Sequence, residues 1–311
     1  MKKIKFIDLF AGIGGFHLAL HSLGAECVYA SEIDEYARKT YEANFKRKSP
    51  NLFKNNYKLF NKDILTEDYS NIPNFDILCA GFPCQPFSQA GYKRGFAENY
   101  ESRGNMFFAI RDIIKKKKPK AIFLENVRHL KNHDDGNTFK IIRSTIENDL
   151  GYSFNYQIIK ASDYGLPQHR PRIYIIGFRD ETTEESDFIF PKKIPLKLSM
   201  SDIFGAKCNK DIGFTLRVGG GRSAIDDRRN WDGYIVKNKV VRLSSNEGKK
   251  MMGLPNNFKF PVTENQAMKQ LGNSVAVTAV KHTSKQVIKY LKDRKSFKKE
   301  DWPIFSDQLS K

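Results

Sequence analysis

The chain has 311 residues, in which 53 lysines and arginines stand against 35 acids for a formal net charge of +18. That length buries a large core in one large or two modest domains. The charge calls for a polyanionic partner, most simply nucleic acid, unless the excess is only lysine-rich solvated surface. No apolar run is long enough to span a membrane, and the start Met1-Lys2-Lys3 lacks the apolar stretch of a signal peptide, so neither a membrane-spanning nor a secreted protein is expected. Cys27, Cys79, Cys84 and Cys208 form no CxxC pair and no disulfide-framework spacing. A reducing, cytoplasmic setting is expected, with Cys84 a free thiol there.

In chain order, Ile4 to Phe10 predicts a first strand that runs into the glycine turn Ala11-Gly12-Ile13-Gly14-Gly15 and then a helix carrying Leu18, Leu20 and Leu23. Strand, glycine turn and helix open a nucleotide-type α/β unit, although the glycine spacing is not the dinucleotide fingerprint. Ala25 to Ala30 predicts a second strand ending at Ser31-Glu32-Ile33-Asp34. An acid roughly 20 residues past the glycine turn suits ribose hydroxyls, or Glu32 simply caps the helix that follows, Glu35 to Phe45. A third strand is predicted near Tyr57 to Phe60, leading to Asp63-Ile64. Phe75 to Ala80 predicts a fourth, buried strand.

That fourth strand delivers Gly81-Phe82-Pro83-Cys84-Gln85-Pro86-Phe87-Ser88. Two prolines stiffen the backbone on either side of the cysteine. A sulfur is thereby held at the carboxyl edge of the sheet, where open α/β folds bind ligands. An inert buried thiol is the commoner fate of cysteine, and is expected for Cys27 and Cys79. Residues 89–103 are polar, basic and glycine-bearing, with Lys93, Arg94 and Arg103, and suit a lid over an anion or a plain surface loop. A helix from about Asn105 ends in lysines at 115–118, stopped by Pro119. Ala121 to Leu124 predicts a fifth strand, delivering Glu125-Asn126-Val127 to the edge that carries Cys84.

After a helix at about 137–149, strands Tyr152–Ile159 and Ile173–Phe178 are predicted around Gln168-His169-Arg170-Pro171-Arg172. Arginines separated by one residue at a strand start are expected on one face. From about Asp180 the regular alternation stops, and residues 180–240 read as a small inserted domain. It holds Thr215 to Arg222, with three consecutive glycines, and then Asp226-Asp227-Arg228-Arg229-Asn230-Trp231. Its arginines suit guanine edges or phosphates, against the alternative of a decorative surface domain. Helical structure resumes across 246–252, Gln270-Leu271-Gly272-Asn273-Ser274-Val275 follows, and an amphipathic helix reaches Leu291 before a basic tail.

Together these blocks resemble the DNA (cytosine-5) methyltransferases, especially the compact bacterial enzymes paired with restriction nucleases. The resemblance covers about 1–178 and 241–290. It rests on Phe10-Ala11-Gly12-Ile13-Gly14-Gly15, Pro83-Cys84-Gln85, Glu125-Asn126-Val127, Gln168 to Arg172, and Gln270 to Val275, in the family's order. It implies an α/β fold: a Rossmann-like sheet of the S-adenosylmethionine-dependent methyltransferases with helices on both faces, plus a small inserted target-recognition domain. The implied division is 1–178 for catalysis and cofactor, 179–240 for target recognition, 241–292 for the return to the catalytic domain, and 293–311 for the tail.

By the same resemblance Cys84 attacks cytosine C6, a role suited to a thiolate as strong nucleophile and competent leaving group. Glu125 serves N3, with a pKa raised by desolvation. Arg172 takes the cytosine O2 and orients Glu125, Arg170 stands beside it, and Asn126 braces the loop. S-adenosylmethionine, leaving as S-adenosylhomocysteine, is expected against Phe10, Gly12, Ile13, Gly15, Glu32, Asp63, Ile64, Pro83, Met106, Asn273, Ser274 and Val275. Ile33 stands where many relatives carry a tryptophan against the adenine, keeping dispersion contact but losing stacking. Double-stranded DNA, with the target cytosine rotated out of the stack, is expected to meet Gln85, Ser88, Lys93, Arg94, Arg103, Arg217, Arg222, Arg228 and Arg229. No metal is called for. A monomer and a partner restriction endonuclease acting on the same site are expected. Three other readings are a transfer-RNA methyltransferase of the same family, a silent DNA-binding regulator, which would lose Cys84 or Glu125, and a nicotinamide dehydrogenase, which the glycine spacing disfavours.

Overall fold

The computed structural model describes residues 3–83, 106–219 and 221–293. Cys84, Gln85, Ser88, Lys93, Arg94 and Arg103 lie outside them, as do Gly220 and the basic tail. A seven-stranded sheet runs in the order β3-β2-β1-β4-β5-β7-β6. Its strands are β1 (Lys5–Leu9), β2 (Glu26–Ser31), β3 (Phe60–Asn61), β4 (Ile77–Gly81), β5 (Ala121–Val127), β6 (Asn155–Lys160) and β7 (Pro171–Phe178). The first five are mutually parallel, and β7 runs antiparallel to both β5 and β6.

The strands are apolar almost throughout because both faces are covered. Phe6, Cys27, Cys79, Phe123 and Tyr174 point to one side, against Phe16 and Leu20 of α1 (Gly15–His21) and Val280 and Val287 of the last helix (Val277–Asp293). Ile7, Leu78, Ile122 and Ile175 point to the other, against Phe107 and Ile110 of α3 (Met106–Lys117) and Ile142 of α4 (Asn137–Ser144). Cys27 and Cys79 are thus buried free thiols, and burial pushes both well up. Helix α2 (Glu35–Phe45) starts on the side chain of Asp34, which accepts from the Ala37 N–H at 2.9 Å. The strand order reverses between β1 and β4, and such a switch point opens a crevice at the carboxyl ends of the strands.

Three expectations change. The third strand is only two residues long, because Asn55, Asn56 and Tyr57 all have left-handed backbone (φ 50°, 56° and 61°) that an extended strand cannot contain. The fifth continues to Val127, so Glu125 lies within it, opposite Gly81 on one side and Tyr174 on the other. The strand expected from Tyr152 begins at Asn155, and Tyr152 makes only an isolated bridge to Arg179.

Beyond Phe178 the chain first returns to the sheet. Phe188 meets Phe178 and Tyr290 with ring centroids 5.2 and 5.8 Å away, and the Tyr164 hydroxyl donates to the Pro191 carbonyl at 2.6 Å. Helix α5 (Met200–Phe204) and the hairpin β8 (Gly233–Val236) and β9 (Lys239–Arg242) follow. The boundary expected at 240 falls inside β9, because Gly233 pairs with Arg242 across the hairpin. Helices α6 (Ser245–Met251) and α7 (Glu264–Asn273) then lead to α8, the last helix named above.

Candidate active site

Four strand ends and one strand start converge on the switch-point edge. After β1 the chain makes a tight left-handed turn, with Phe10, Gly12 and Gly14 at φ 53°, 55° and 85°. The turn is pinned to β2 by the Ala11 N–H on the Ser31 carbonyl (2.9 Å) and the Gly12 N–H on Glu32 Oε2 (2.7 Å). Gly15 opens α1 hard against the segment after α7, where a Cβ would lie 2.5 Å from Val275 Cγ2. No residue larger than glycine fits there without moving that segment.

Glu32 therefore does more than cap. Its Oε1 accepts the Asp34 N–H at 2.8 Å, while Asp34 itself caps α2. Burial pushes the Glu32 carboxyl up, against the Asp34 and Gly12 N–H groups that favour its charge. Each oxygen keeps a second lone pair for a ligand hydroxyl. The hydroxyls of Ser31 and Ser274 are buried and have no hydrogen-bond partner among the described residues. Ile33, next to Glu32, is 62% exposed, an uncommonly bare large apolar side chain beside buried polar groups. Asp63 accepts the Leu65 N–H at 3.0 Å, and Ile64 behind it is buried. Val275 is buried, Met106 is half-buried, and Pro83 and Asn273 are exposed. Unsatisfied hydroxyls, an acid with spare acceptor capacity and an uncovered apolar side chain suit a ribonucleoside with a polar tail, as S-adenosylmethionine is.

Across the switch point, Glu125 is buried, and Arg172 from β7 sets its Nε 3.1 Å from Glu125 Oε1. Desolvation pushes the Glu125 carboxyl up, and Arg172 followed by Arg170 pulls part of that back. The other Glu125 oxygen faces Gly81, where a Cβ would sit 3.6 Å from it. Asn126 donates from Nδ2 to the Phe82 carbonyl at 2.9 Å and accepts the Val127 N–H at 2.8 Å. It thus fixes the chain two residues before Cys84.

Arg170 does not share the face of Arg172. It precedes β7, outside the two-residue alternation of the strand, and turns into the protein, only 2% exposed. Its guanidinium donates to the carbonyls of Leu216 (3.2 Å), Gly272 (3.0 Å) and Ser274. Burial pushes it down to about 9, which leaves it charged at neutral pH. Arg170 is therefore a clip between residues 216 and 272–274, corrected from its expected place beside Arg172 on the same face. Gln168 works alongside it, accepting the Leu216 N–H at 3.1 Å and donating to the Met251 carbonyl at 3.0 Å.

Of the arginines beyond 180, Arg217, Arg222 and Arg228 are exposed. Arg229 is exposed too, but Asp227 holds its Nη2 at 2.7 Å and its backbone N–H at 2.7 Å, and this holds the Asp227 carboxyl down at about 2. Two features had no sequence reading. Arg38 of α2 donates to the carbonyls of Glu32 (3.1 Å), Phe60 (2.8 Å) and Asn61 (2.7 Å), and its guanidinium lies 4.1 Å over the Phe60 ring. It ties the end of β2 to the two-residue β3. The second is a buried floor, Asn230-Trp231-Asp232, beneath the exposed arginines. Within α2 the Arg38 signal is only a cation on a helix, and nothing local marks its partners. No group of acids, histidines and cysteines among the described residues could hold a metal, and no helix there is long and apolar enough to cross a membrane.

A family profile described as C-5 cytosine-specific DNA methylase matches residues 4–217 and 219–289. The chain is 37% identical to the type II methyltransferase M.HhaI of Haemophilus parahaemolyticus, covering 90% of this chain and 92% of that one. It is 38% identical to the type II methyltransferase M.HaeII of Haemophilus aegyptius, over 94% of this chain and 95% of the relative. Among solved structures, a DNMT2 variant of Spodoptera frugiperda superposes with a TM-score of 0.69 at 19% identity, over 92% of this chain and all of that one. The Dnmt2 methyltransferase of S. pombe gives 0.65 at 16%, over 93% and 99%. At such identities these two structures speak for the fold alone.

Proposed function

This chain belongs to the C-5 cytosine-specific DNA methylase family, and from that premise we propose how its residues divide the work of methylating cytosine in duplex DNA. It is an S-adenosylmethionine-dependent DNA (cytosine-5) methyltransferase of the restriction-modification type. The cofactor, when bound, supplies an electrophilic methyl group for C5. Phe10, Ile13, Gly15, Glu32, Ile33, Asp63, Ile64, Ser274 and Val275 hold it, with Pro83, Met106 and Asn273 at the rim.

The chain's own residues prepare the ring. C5 is a weak nucleophile until C6 takes up a thiolate. The Cys84 thiolate forms the C6–S bond, the C5–C6 π pair shifts to C4–C5, the C4–N3 π pair moves onto N3, and N3 takes the proton that Glu125 carries. Burial raises the proton affinity of this carboxyl, the direction that donation requires. Arg172 orients it from 3.1 Å, donates from Nη1 to the Pro171 carbonyl at 2.9 Å, and leaves Nη2 for the cytosine O2. Once C5 carries the methyl group, water takes the C5 proton, the C5–H pair becomes the C5–C6 π bond, the C6–S pair leaves with Cys84 as thiolate, and N3 returns its proton to the Glu125 carboxylate. Asn126, bonded to the Phe82 carbonyl, sets the direction in which the chain enters the catalytic loop. Residues 179–242, with the border moved to the end of β9, are the segment that chooses the sequence. The protein works as a monomer, and a restriction endonuclease cleaves the site it protects.

The observation that carries this division is the buried Glu125–Arg172 pair, set opposite Gly81 at the end of the strand that leads to Cys84. Bisulfite sequencing of DNA from a host expressing the chain, and the same assay on its transfer RNA, tests it. Methylcytosine in one DNA sequence context, and none with Cys84→Ser, is the expected result. Cys84→Ser should also fail to form a covalent adduct with 5-fluorocytosine DNA, since a serine hydroxyl does not ionise there. Methylation at the wild-type rate by Cys84→Ser would overturn the covalent mechanism, and methylation confined to transfer RNA would overturn the substrate.

A further inference from the structure

The exposed arginines after Leu216 are not equivalent. Arg222 has left-handed backbone (φ 68°), a conformation that non-glycine residues rarely adopt unless their surroundings enforce it. Here the enforcement is visible. The Arg222 N–H is shared by both Asp232 oxygens at 3.1 Å. Trp231 Nε1 donates to the Gly219 carbonyl at 3.1 Å, and Arg242 Nη2 to the Ser223 carbonyl at 2.7 Å. Arg242 also sets Nη1 3.0 Å from Asp232 Oδ1, which leaves that carboxylate neutralised. Asn230 closes the bracket, with Nδ2 on the Ile225 carbonyl at 3.2 Å and Oδ1 accepting the Gly233 N–H at 2.9 Å.

Asn230, Trp231 and Asp232 are each less than 10% exposed, yet apart from the contacts with Arg242 they spend their polar atoms on backbone groups, chiefly those of the stretch above. A floor of this kind does not read anything itself. It fixes the point from which a side chain springs, and a guanidinium that must meet a guanine edge with two parallel N–H groups needs a fixed root. A backbone set before binding also spares the ordering cost at contact. Arg229 lacks this freedom, because Asp227 already holds its guanidinium.

We propose that Arg222 is the arginine through which this enzyme reads one base pair of its site, and that Asp232, with Trp231 and Arg242, is its positioning residue. The proposal rests on residues 179–242 being the sequence-choosing segment. Its test follows mapping of the wild-type site by bisulfite sequencing. The quantity read is the ratio of kcat/KM on the cognate duplex to that on duplexes changed at one base pair, with cofactor affinity and melting measured in parallel.

Arg222→Ala should lower that ratio at a single base pair, within the range of about 5- to 150-fold that one bidentate contact provides. Asp232→Ala should lower it at the same base pair with cofactor affinity unchanged, and Asp232→Asn, which keeps an acceptor oxygen, should recover part of the loss. Added to Arg222→Ala, Asp232→Ala should cost no further discrimination, since it acts through that side chain. Should Asp232→Ala fail to fold, Trp231→Phe keeps an aromatic six-membered ring, loses the bond to Gly219 with the pyrrole part of the indole, and is expected to lower the same ratio a few-fold. Full discrimination in a folded Asp232→Ala beside a shifted Arg222→Ala would overturn the positioning role and leave the segment's role intact. A larger shift from Arg229→Ala than from Arg222→Ala would overturn the choice of reader. No shift from any of these, with methylation intact, would overturn both this proposal and the segment's assignment.

Discussion

Replacing Arg172 by methionine leaves Glu125 buried with no contacting cation, and the consequence has a definite sign and size. Burial already raises this carboxyl, and Arg172 is the largest influence that restrains it. A carboxyl with a folded-state pKa above its unfolded value near 4.3 holds more protons in the native protein than in the unfolded chain. Stability then falls as pH rises from that unfolded value through the folded pKa. Without Arg172 the folded pKa moves further up and the window widens. If Glu125 stayed fully protonated in the native protein, the cost would be about 3.7 kcal/mol at pH 7 but only about 1 kcal/mol at pH 5. The wild type already bears part of this, so the added loss in Arg172→Met should be about 2 kcal/mol at pH 7, below the roughly 3–5 kcal/mol that breaking a buried pair costs when the remaining group stays charged. For a chain of 311 residues that corresponds to a fall of about 3 °C in Tm. Urea denaturation at pH 5 and pH 7 reads the difference, and the double variant Arg172→Met with Glu125→Gln should recover most of it, because an amide does not ionise. Equal destabilisation of Arg172→Met at both pH values, or no recovery in the double variant, would refute the account of this pair.

Two further predictions concern the cofactor. Arg38→Gln removes the charged clamp from the Glu32, Phe60 and Asn61 carbonyls, so the cofactor Kd should rise on the order of tenfold, about 1.4 kcal/mol. Calorimetric titration should show this while kcat at saturating cofactor stays within about twofold, and an unchanged Kd would deny Arg38 that role. Ile33→Trp places an aromatic face where a 62% exposed isoleucine now stands. Stacking at roughly 0.5–1.5 kcal/mol should tighten cofactor binding about 2- to 12-fold by equilibrium dialysis, and weaker binding would show that the adenine does not lie there.

What was legible in the sequence was mostly local. Each parallel strand of the site is an apolar run followed by a turn or a polar residue, so Gly12, Glu32 and Pro83 could be placed at one edge by counting strands. The misreadings have local causes too. The run Tyr57 to Phe60 reads as a strand by its aromatic and apolar residues, yet left-handed backbone at Tyr57, continuing from Asn55 and Asn56, leaves only Phe60–Asn61. Glu125 looked like the residue after a strand because burying a carboxylate is costly. It lies inside β5 because Arg172 comes from the neighbouring antiparallel strand.

Arg170 and Arg172 show where reading by residue type stops. They are the same side chain separated by one residue, and only the start of β7 between them sends one to Glu125 and the other to three carbonyls. Those carbonyls belong to residues 46, 102 and 104 positions further along the chain, a distance over which no periodicity or spacing carries information. The same clip bears on how the protein works. Leu216 precedes the loop that carries Arg222, and Ser274 belongs to the segment pressed against Gly15 in the cofactor turn. A buried guanidinium that holds both must keep its three acceptors or bear the cost of a buried, unpaired charge. Movement of the loop that carries Arg222 away from the segment beside Gly15 is therefore opposed by the loss of those bonds.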